Sequence, residues 1–145
     1  MFAEYIEKRQ WKAVKIRVKR YTTLGITFMA AYTLCVIWLI PDAMNLLAPE
    51  TPIAHDLHLI ALLGIYSIVR VWTDTYAVVL QSMEDMSQFW IYVPIQAALS
   101  FSIQVAAVEI WGLSGVVIAL ITSYLLTVTW ALPARVKRSF NNAEK

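Results

Sequence analysis

The chain has 145 residues, of which 59% are hydrophobic and 15% charged, and its mean hydropathy is +0.60. Soluble domains sit near about 45–50% apolar and ~25% charged, so this composition excludes an ordinary water-soluble domain and points to a membrane protein. The net charge of +2 hides an uneven distribution, because 11 of the 12 Lys and Arg residues lie in residues 8–20 and 135–145. Such basic ends do not imply nucleic acid.

Residues 1–20 form a basic segment expected on the cytoplasmic side. Lys8, Lys12, Lys15 and Lys19 recur at helical spacing, with Trp11, Val14, Val18 and Tyr21 as an apolar stripe beside them. The pattern predicts a basic amphipathic helix against anionic headgroups, or a solvated helix running into the first span. The uncharged run 21–40 is too long for the apolar core of a secretory signal and reads as a retained first span. It is expected to stop at Pro41-Asp42, where proline lacks the N–H that a helix needs. Cys35 is the single cysteine and lies in this apolar run, which excludes a disulfide framework or a thiolate metal site. Residues 41–56 read as an external loop. At its end, His55, Asp56 and His58 offer two histidines without a further organised ligand, so no metal site is expected.

The second span, residues 57–80, carries His58, Arg70 and Asp74. A charge in mid-bilayer costs about 2.5–3.5 kcal/mol on insertion scales, so it marks a use or a buried partner. Arg70 and Asp74 are four apart and share a helix face, which lets them pair. Ser67 and Gln81 lie on the same stripe, Tyr66 and Thr73 border it, and Ile65, Ile68, Trp72 and Val79 occupy the opposite face. The stripe reads as the lining of a water-filled cavity for a polar or anionic substrate, with Arg70 as its contact; the alternative is a structural ion pair.

The third span, residues 89–108, repeats Gln96, Ser100 and Gln104 every fourth residue, a polar stripe that can bond a neighbouring helix or a sugar hydroxyl. The fourth, residues 111–132, is expected to end at Pro133. Gly112 and the ridge Gly115, Ala119 and Ser123 are small residues that let another helix approach closely. Residues 133–145 form a second basic tail.

Four spans with short connections free of Lys and Arg put both basic ends in the cytoplasm. Trp38 and Trp111 then mark the outer interface, and Tyr21, Trp90 and Trp130 the inner one. The expected fold is an all-α membrane bundle of four transmembrane helices preceded by the basic amphipathic helix. No phosphate-cradling glycine loop, nucleophile elbow, zinc-protease helix or kinase signature occurs, so an enzyme is not expected and no cofactor or metal is implied.

From about Ala3 to Phe140 the chain resembles the C-terminal four helices of bacterial O-antigen and polysaccharide flippases, in the multidrug, oligosaccharidyl-lipid and polysaccharide exporter superfamily. The basic connection, the apolar span and the span with intramembrane charge carry the likeness. So do Trp111-Gly112-Leu113-Ser114-Gly115-Val116-Val117-Ile118-Ala119 and Trp130-Ala131-Leu132-Pro133-Ala134-Arg135-Val136-Lys137-Arg138. The resemblance implies alternating-access movement of polyprenyl-diphosphate-linked oligosaccharide across the bacterial inner membrane. It makes Arg70 the matching cavity cation and Asp74 a candidate proton carrier. It also implies missing N-terminal helices, because four helices cannot enclose a cavity for such a substrate, and hence a truncated or split frame, an internal start, or a half assembling with another chain. The competing readings are a fragment of a multidrug antiporter, against which Arg70 argues, and a small four-span accessory or scaffold protein.

Overall fold

The computed structural model describes residues 2–47, 57–87 and 89–143. His55, Asp56 and most of the expected external loop lie outside the described residues. Among the described residues every regular element is α-helical. The order is α1 (Phe2–Glu7), α2 (Trp11–Leu47), α3 (Leu57–Ser82), α4 (Phe89–Leu126) and α5 (Val128–Ala143). Three stretches, Trp11–Ala43, Leu57–Ser82 and Phe89–Asn142, are long and apolar enough to cross a membrane.

Two of the short connections close in the same way. After α1, Gln10 N–H bonds the Tyr5 carbonyl at 2.8 Å and Arg9 N–H bonds that of Ile6 at 2.9 Å, with Arg9 at φ 53°. After α3, Asp85 N–H bonds the Leu80 carbonyl and Glu84 N–H that of Gln81, both at 3.0 Å, with Glu84 at φ 58°. This pair of bonds around a left-handed residue satisfies carbonyls that a helix end leaves open.

The helix α2 corrects one expectation. It continues through Pro41 to Leu47, because one proline removes one backbone bond from a 37-residue helix without ending it. It runs unbroken from the basic segment into the apolar run, one of the two courses the sequence pattern allowed, with α1 as a separate short helix tied on by Arg17, whose Nη2 donates to Tyr5 Oη at 2.6 Å. Of the apolar stripe Trp11, Val14, Val18 and Tyr21, the two valines are covered by protein, whereas Tyr21 stays exposed. Val14 and Val18 are buried in one cluster with Val79 and Leu80 of α3 and with Val128, Leu132, Val136 and Phe140 of α5. Periodicity identifies an apolar face but not what covers it. The described chain ends, α1 and α5, therefore meet at one end of the bundle.

The helix α3 is the hub, packed on α2 at one flank and on α4 and α5 at the other. Its antiparallel crossing with α2 depends on two glycines: a Cβ on Gly25 would lie 2.6 Å from Val71 Cγ1, and one on Gly64 would collide with the Thr33 side chain. Missing side chains are what let the two backbones approach.

The helix α4 reverses direction at Gly112, whose φ of 57° and ψ of −136° are non-helical. Gln96 Nε2 and Ser123 Oγ lie 3.4 Å apart, whereas 27 residues of straight helix would separate them by ~40 Å. Residues 89–111 and 113–126 are thus two arms of a hairpin. Gly115 sits so close to Ala107 that an added Cβ would meet the Ala107 carbonyl, and Ala119 and Ser123 are fully buried between the arms. Gly112 itself packs on nothing, since an added Cβ would find no atom within 4 Å. It is the turn, not the packing residue its place beside the ridge implied.

The second arm breaks at Thr127, and Pro133 lies inside α5, where a helix end was expected. In a regular helix the N–H of residue 133 would bond the Thr129 carbonyl. Proline has none, and the indole Nε1 of Trp72 donates to that carbonyl instead, at 3.3 Å. A tertiary bond replaces the lost helical one, so the helix survives its proline.

Large apolar side chains, among them Phe28, Leu34, Trp38, Phe101, Leu113 and Trp130, stand more than half exposed. A surface of this kind requires lipid or further protein around it.

Candidate functional site

Arg70 and Asp74 occupy one face of α3, and helical spacing brings them together. Arg70 Nη2 lies 3.2 Å and Nε 3.3 Å from Asp74 Oδ2. Their side chains are 44% and 56% exposed, so the pair opens outward from the bundle. Arg70 also reaches across to the second arm of α4, where its Nη1 donates to Tyr124 Oη at 2.7 Å. The Tyr66 ring meets the Tyr124 ring edge-on with centroids 5.9 Å apart, which fixes the phenol that Arg70 holds. A guanidinium has five N–H donors, so one N–H on each terminal nitrogen remains beyond these contacts. The arrangement is a positioned guanidinium paired with an exposed carboxylate, whose remaining N–H groups suit the oxygens of an anionic or polyhydroxylated ligand.

The other polar residues of the α3 stripe are used differently. Ser67 Oγ donates to the Leu63 carbonyl at 2.8 Å, and Thr73 is buried with its hydroxyl 3.1 Å from the Val69 carbonyl and 3.0 Å from that of Arg70. Gln81 is exposed but stands about 16 Å along the axis from Arg70. In the first arm of α4, Gln96 bonds Ser123, and Gln104 Nε2 donates to Ser100 Oγ at 2.8 Å, with Ser100 buried. That stripe faces the small-residue ridge of Gly115, Ala119 and Ser123 and serves hairpin packing. The structure thus joins Arg70, Asp74 and Tyr66 and leaves Gln81, Gln96, Ser100 and Gln104 outside their cluster.

Tyr124 is the member that sequence reasoning missed. Its only signal in sequence is a phenol immediately before Leu125-Leu126, since a partner 54 residues from Arg70 has no periodicity to betray it.

A second polar cluster lies at the end where α1 and α5 meet. Asp85, in the turn after α3, accepts from Arg135 Nε at 2.7 Å and Nη2 at 3.2 Å, and from Ser87 Oγ at 2.7 Å and Ser139 Oγ at 3.4 Å. The Arg135 fork, then Ser87, hold the Asp85 carboxyl below its usual range. The fork ties the α3–α4 turn to α5. Among the described residues no group of three or more His, Cys, Asp or Glu side chains could hold a metal ion.

These features define the class: a multi-helix membrane-protein segment with an Arg–Asp pair held on an exposed face of its central helix. The chain is 40% identical over 115 residues to a "Putative O-antigen export protein" of Yersinia pseudotuberculosis, 79% of this chain and 26% of that protein. It is 34% identical over 131 residues to a "Putative O-antigen transporter" of Salmonella typhimurium, and 32% identical over 131 residues to one of Salmonella typhi, in each case 90% of this chain and 30% of the relative. The chain is thus similar to these proteins over most of its own length and spans less than a third of the length of the relatives it matches. No family model and no solved structure matches.

Proposed function

We propose that the chain is the C-terminal part of a bacterial inner-membrane transporter that flips lipid-linked oligosaccharide by alternating access. In this reading residues 21–40, 57–80, 89–108 and 111–132 are four spans, residues 1–20 and 133–145 are cytoplasmic, and the remaining helices of the transporter cover the exposed apolar faces. The meeting of α1 and α5 at one end supports an even number of crossings. The Arg135–Asp85 fork supports a cytoplasmic place for the turn after α3. The observation that carries the transport reading is Arg70, a half-exposed guanidinium on the central helix with N–H groups left to donate. Substrate diphosphate or sugar oxygens are its natural acceptors, and Asp74 beside it is the candidate for a coupling proton. The chemistry is passage rather than reaction, so the protein acts as a transporter and not as an enzyme.

The test is Arg70→Ala in the assembled transporter, with surface O-antigen and membrane abundance measured in the same cells. Loss of surface O-antigen at unchanged abundance is expected. Full export by that variant would sink the reading. Asp74→Asn extends the test, since export that no longer depends on the proton gradient would assign the coupling site.

A further inference from the structure

Between α2, α3 and α5 lies a cleft of about 690 Å³ that the Arg70 cluster does not share. Lys15 and Lys19, one turn apart on α2, and Lys137 on α5 line it, and no Asp or Glu does. Its inner wall includes Trp72 and Tyr76 of α3 and Val136 of α5. Thr22 also lines it and differs from several other threonines of the long helices. Thr33, Thr73 and Thr75 return their hydroxyls to a carbonyl one turn back. Thr22 is 5% exposed, and its Oγ1 has no hydrogen-bond partner among the described residues. A buried hydroxyl without a partner is rare in a settled core, so the cleft wall at Thr22 holds a donor to spare.

The position of the cleft indicates the ligand. Its lysines belong to the basic segment before the uncharged run, and Thr22 and Trp72 belong to apolar stretches, so one cleft straddles the depth of headgroups and the depth of acyl chains. A free phosphate would satisfy the lysines and leave the apolar wall bare, whereas a zwitterionic lipid would bring no net charge to three ammonium groups.

We propose that this cleft binds one anionic phospholipid of the surrounding leaflet. The lipid phosphate sits among Lys15, Lys19 and Lys137, the Thr22 hydroxyl donates to a headgroup oxygen, and an acyl chain lies along Trp72 and Tyr76. The occupant closes the gap between α2 and α5 and braces the basic end of the bundle. This requires a bilayer around the chain but no transport, so it stands or falls apart from the export reading.

The test is native mass spectrometry of the full chain in a neutral detergent, titrated with dioleoyl phosphatidylglycerol, dioleoyl phosphatidylcholine or inorganic phosphate. One phosphatidylglycerol per chain is expected, bound at least about tenfold more tightly than phosphatidylcholine. Joint Lys15→Gln, Lys19→Gln and Lys137→Gln substitution should weaken it by on the order of a hundredfold, and arginine at the same positions should keep it. Thr22→Val should weaken phosphatidylglycerol binding while raising the thermal midpoint of the lipid-free protein, since the unsatisfied hydroxyl is gone; this variant decides the matter if the triple one does not fold. Equal binding of the two lipids, or full phosphatidylglycerol binding by either variant, would overturn the proposal. So would inorganic phosphate displacing the lipid at equal concentration, which would mark a simple anion pocket.

Discussion

Trp72 donates its indole N–H to the Thr129 carbonyl across 3.3 Å, the carbonyl that Pro133, four residues on, cannot bond. The pair explains how α5 passes through a proline and how it stays docked on α3. Trp72→Phe keeps most of the ring and deletes the donor, so it should cost about 1–2 kcal/mol. In a Pro133→Ala background, where residue 133 supplies its own N–H, the same change should cost less than half as much. Reversible unfolding in mixed micelles across this double-mutant cycle measures the difference. Equal costs in both backgrounds would mean that the indole does not compensate for the proline.

Gly112 and Gly115 stabilise the α4 hairpin for different reasons. At Gly112 an added Cβ meets empty space, but φ of 57° with ψ of −136° strains any side-chain-bearing residue, so Gly112→Ala should cost roughly 1–3 kcal/mol. At Gly115 the backbone is ordinary and the obstacle is the Ala107 carbonyl, so Gly115→Val must separate the arms, at a cost of at least about 1–3 kcal/mol. Ala107→Gly leaves that carbonyl in place and should not rescue Gly115→Val. Thermal midpoints of the three variants check both statements.

The Arg70–Tyr124 bond links α3 to the second arm of α4. Tyr124→Phe keeps the ring that packs on Tyr66 and removes the hydroxyl, at an expected cost of about 0.6–1.7 kcal/mol in stability, the range of interhelical bonds in membranes. If Arg70 serves transport, this variant should also lower export without lowering abundance, because the guanidinium loses one of its two anchors. Wild-type export with reduced stability would assign Tyr124 a packing role alone.

The Asp85–Arg135 fork makes stability depend on pH in a stated direction. Because the folded-state carboxyl titrates below its unfolded value, its contribution is complete above the unfolded pKa and is lost as pH falls through the folded one. The thermal midpoint should therefore fall with acidification below about pH 4, where carboxylates protonate. Asp85→Asn should lower the midpoint at neutral pH and flatten this part of the profile. An unchanged profile in Asp85→Asn would show that other carboxylates set the acid response.

Much of the helical character was legible in sequence because it is local. Hydropathy over twenty residues reports apolar helices, and spacing of four places Arg70 beside Asp74 on one face wherever the helix lies. Proline, read locally, misled twice. Pro41 and Pro133 look like terminators in one dimension, yet α2 and α5 run through them, in the second case with a carbonyl satisfied from 57 residues away. The stripe of Val14 and Val18 was visible as apolar, but the pattern does not distinguish lipid from protein as its cover.

By itself the sequence determined a helical membrane protein with basic ends, one guanidinium within an apolar stretch with a carboxylate a turn away, and a small-residue ridge. Each follows from residue type and helical period. Only the tertiary structure decided that the chain reverses at Gly112, that Arg70 holds Tyr124, that α5 covers Val14 and Val18, and that Asp85 receives the Arg135 fork. These pairings join residues tens of positions apart. Their free energy comes from close packing and from satisfying polar groups that lipid cannot satisfy, and those terms exist only when the helices meet.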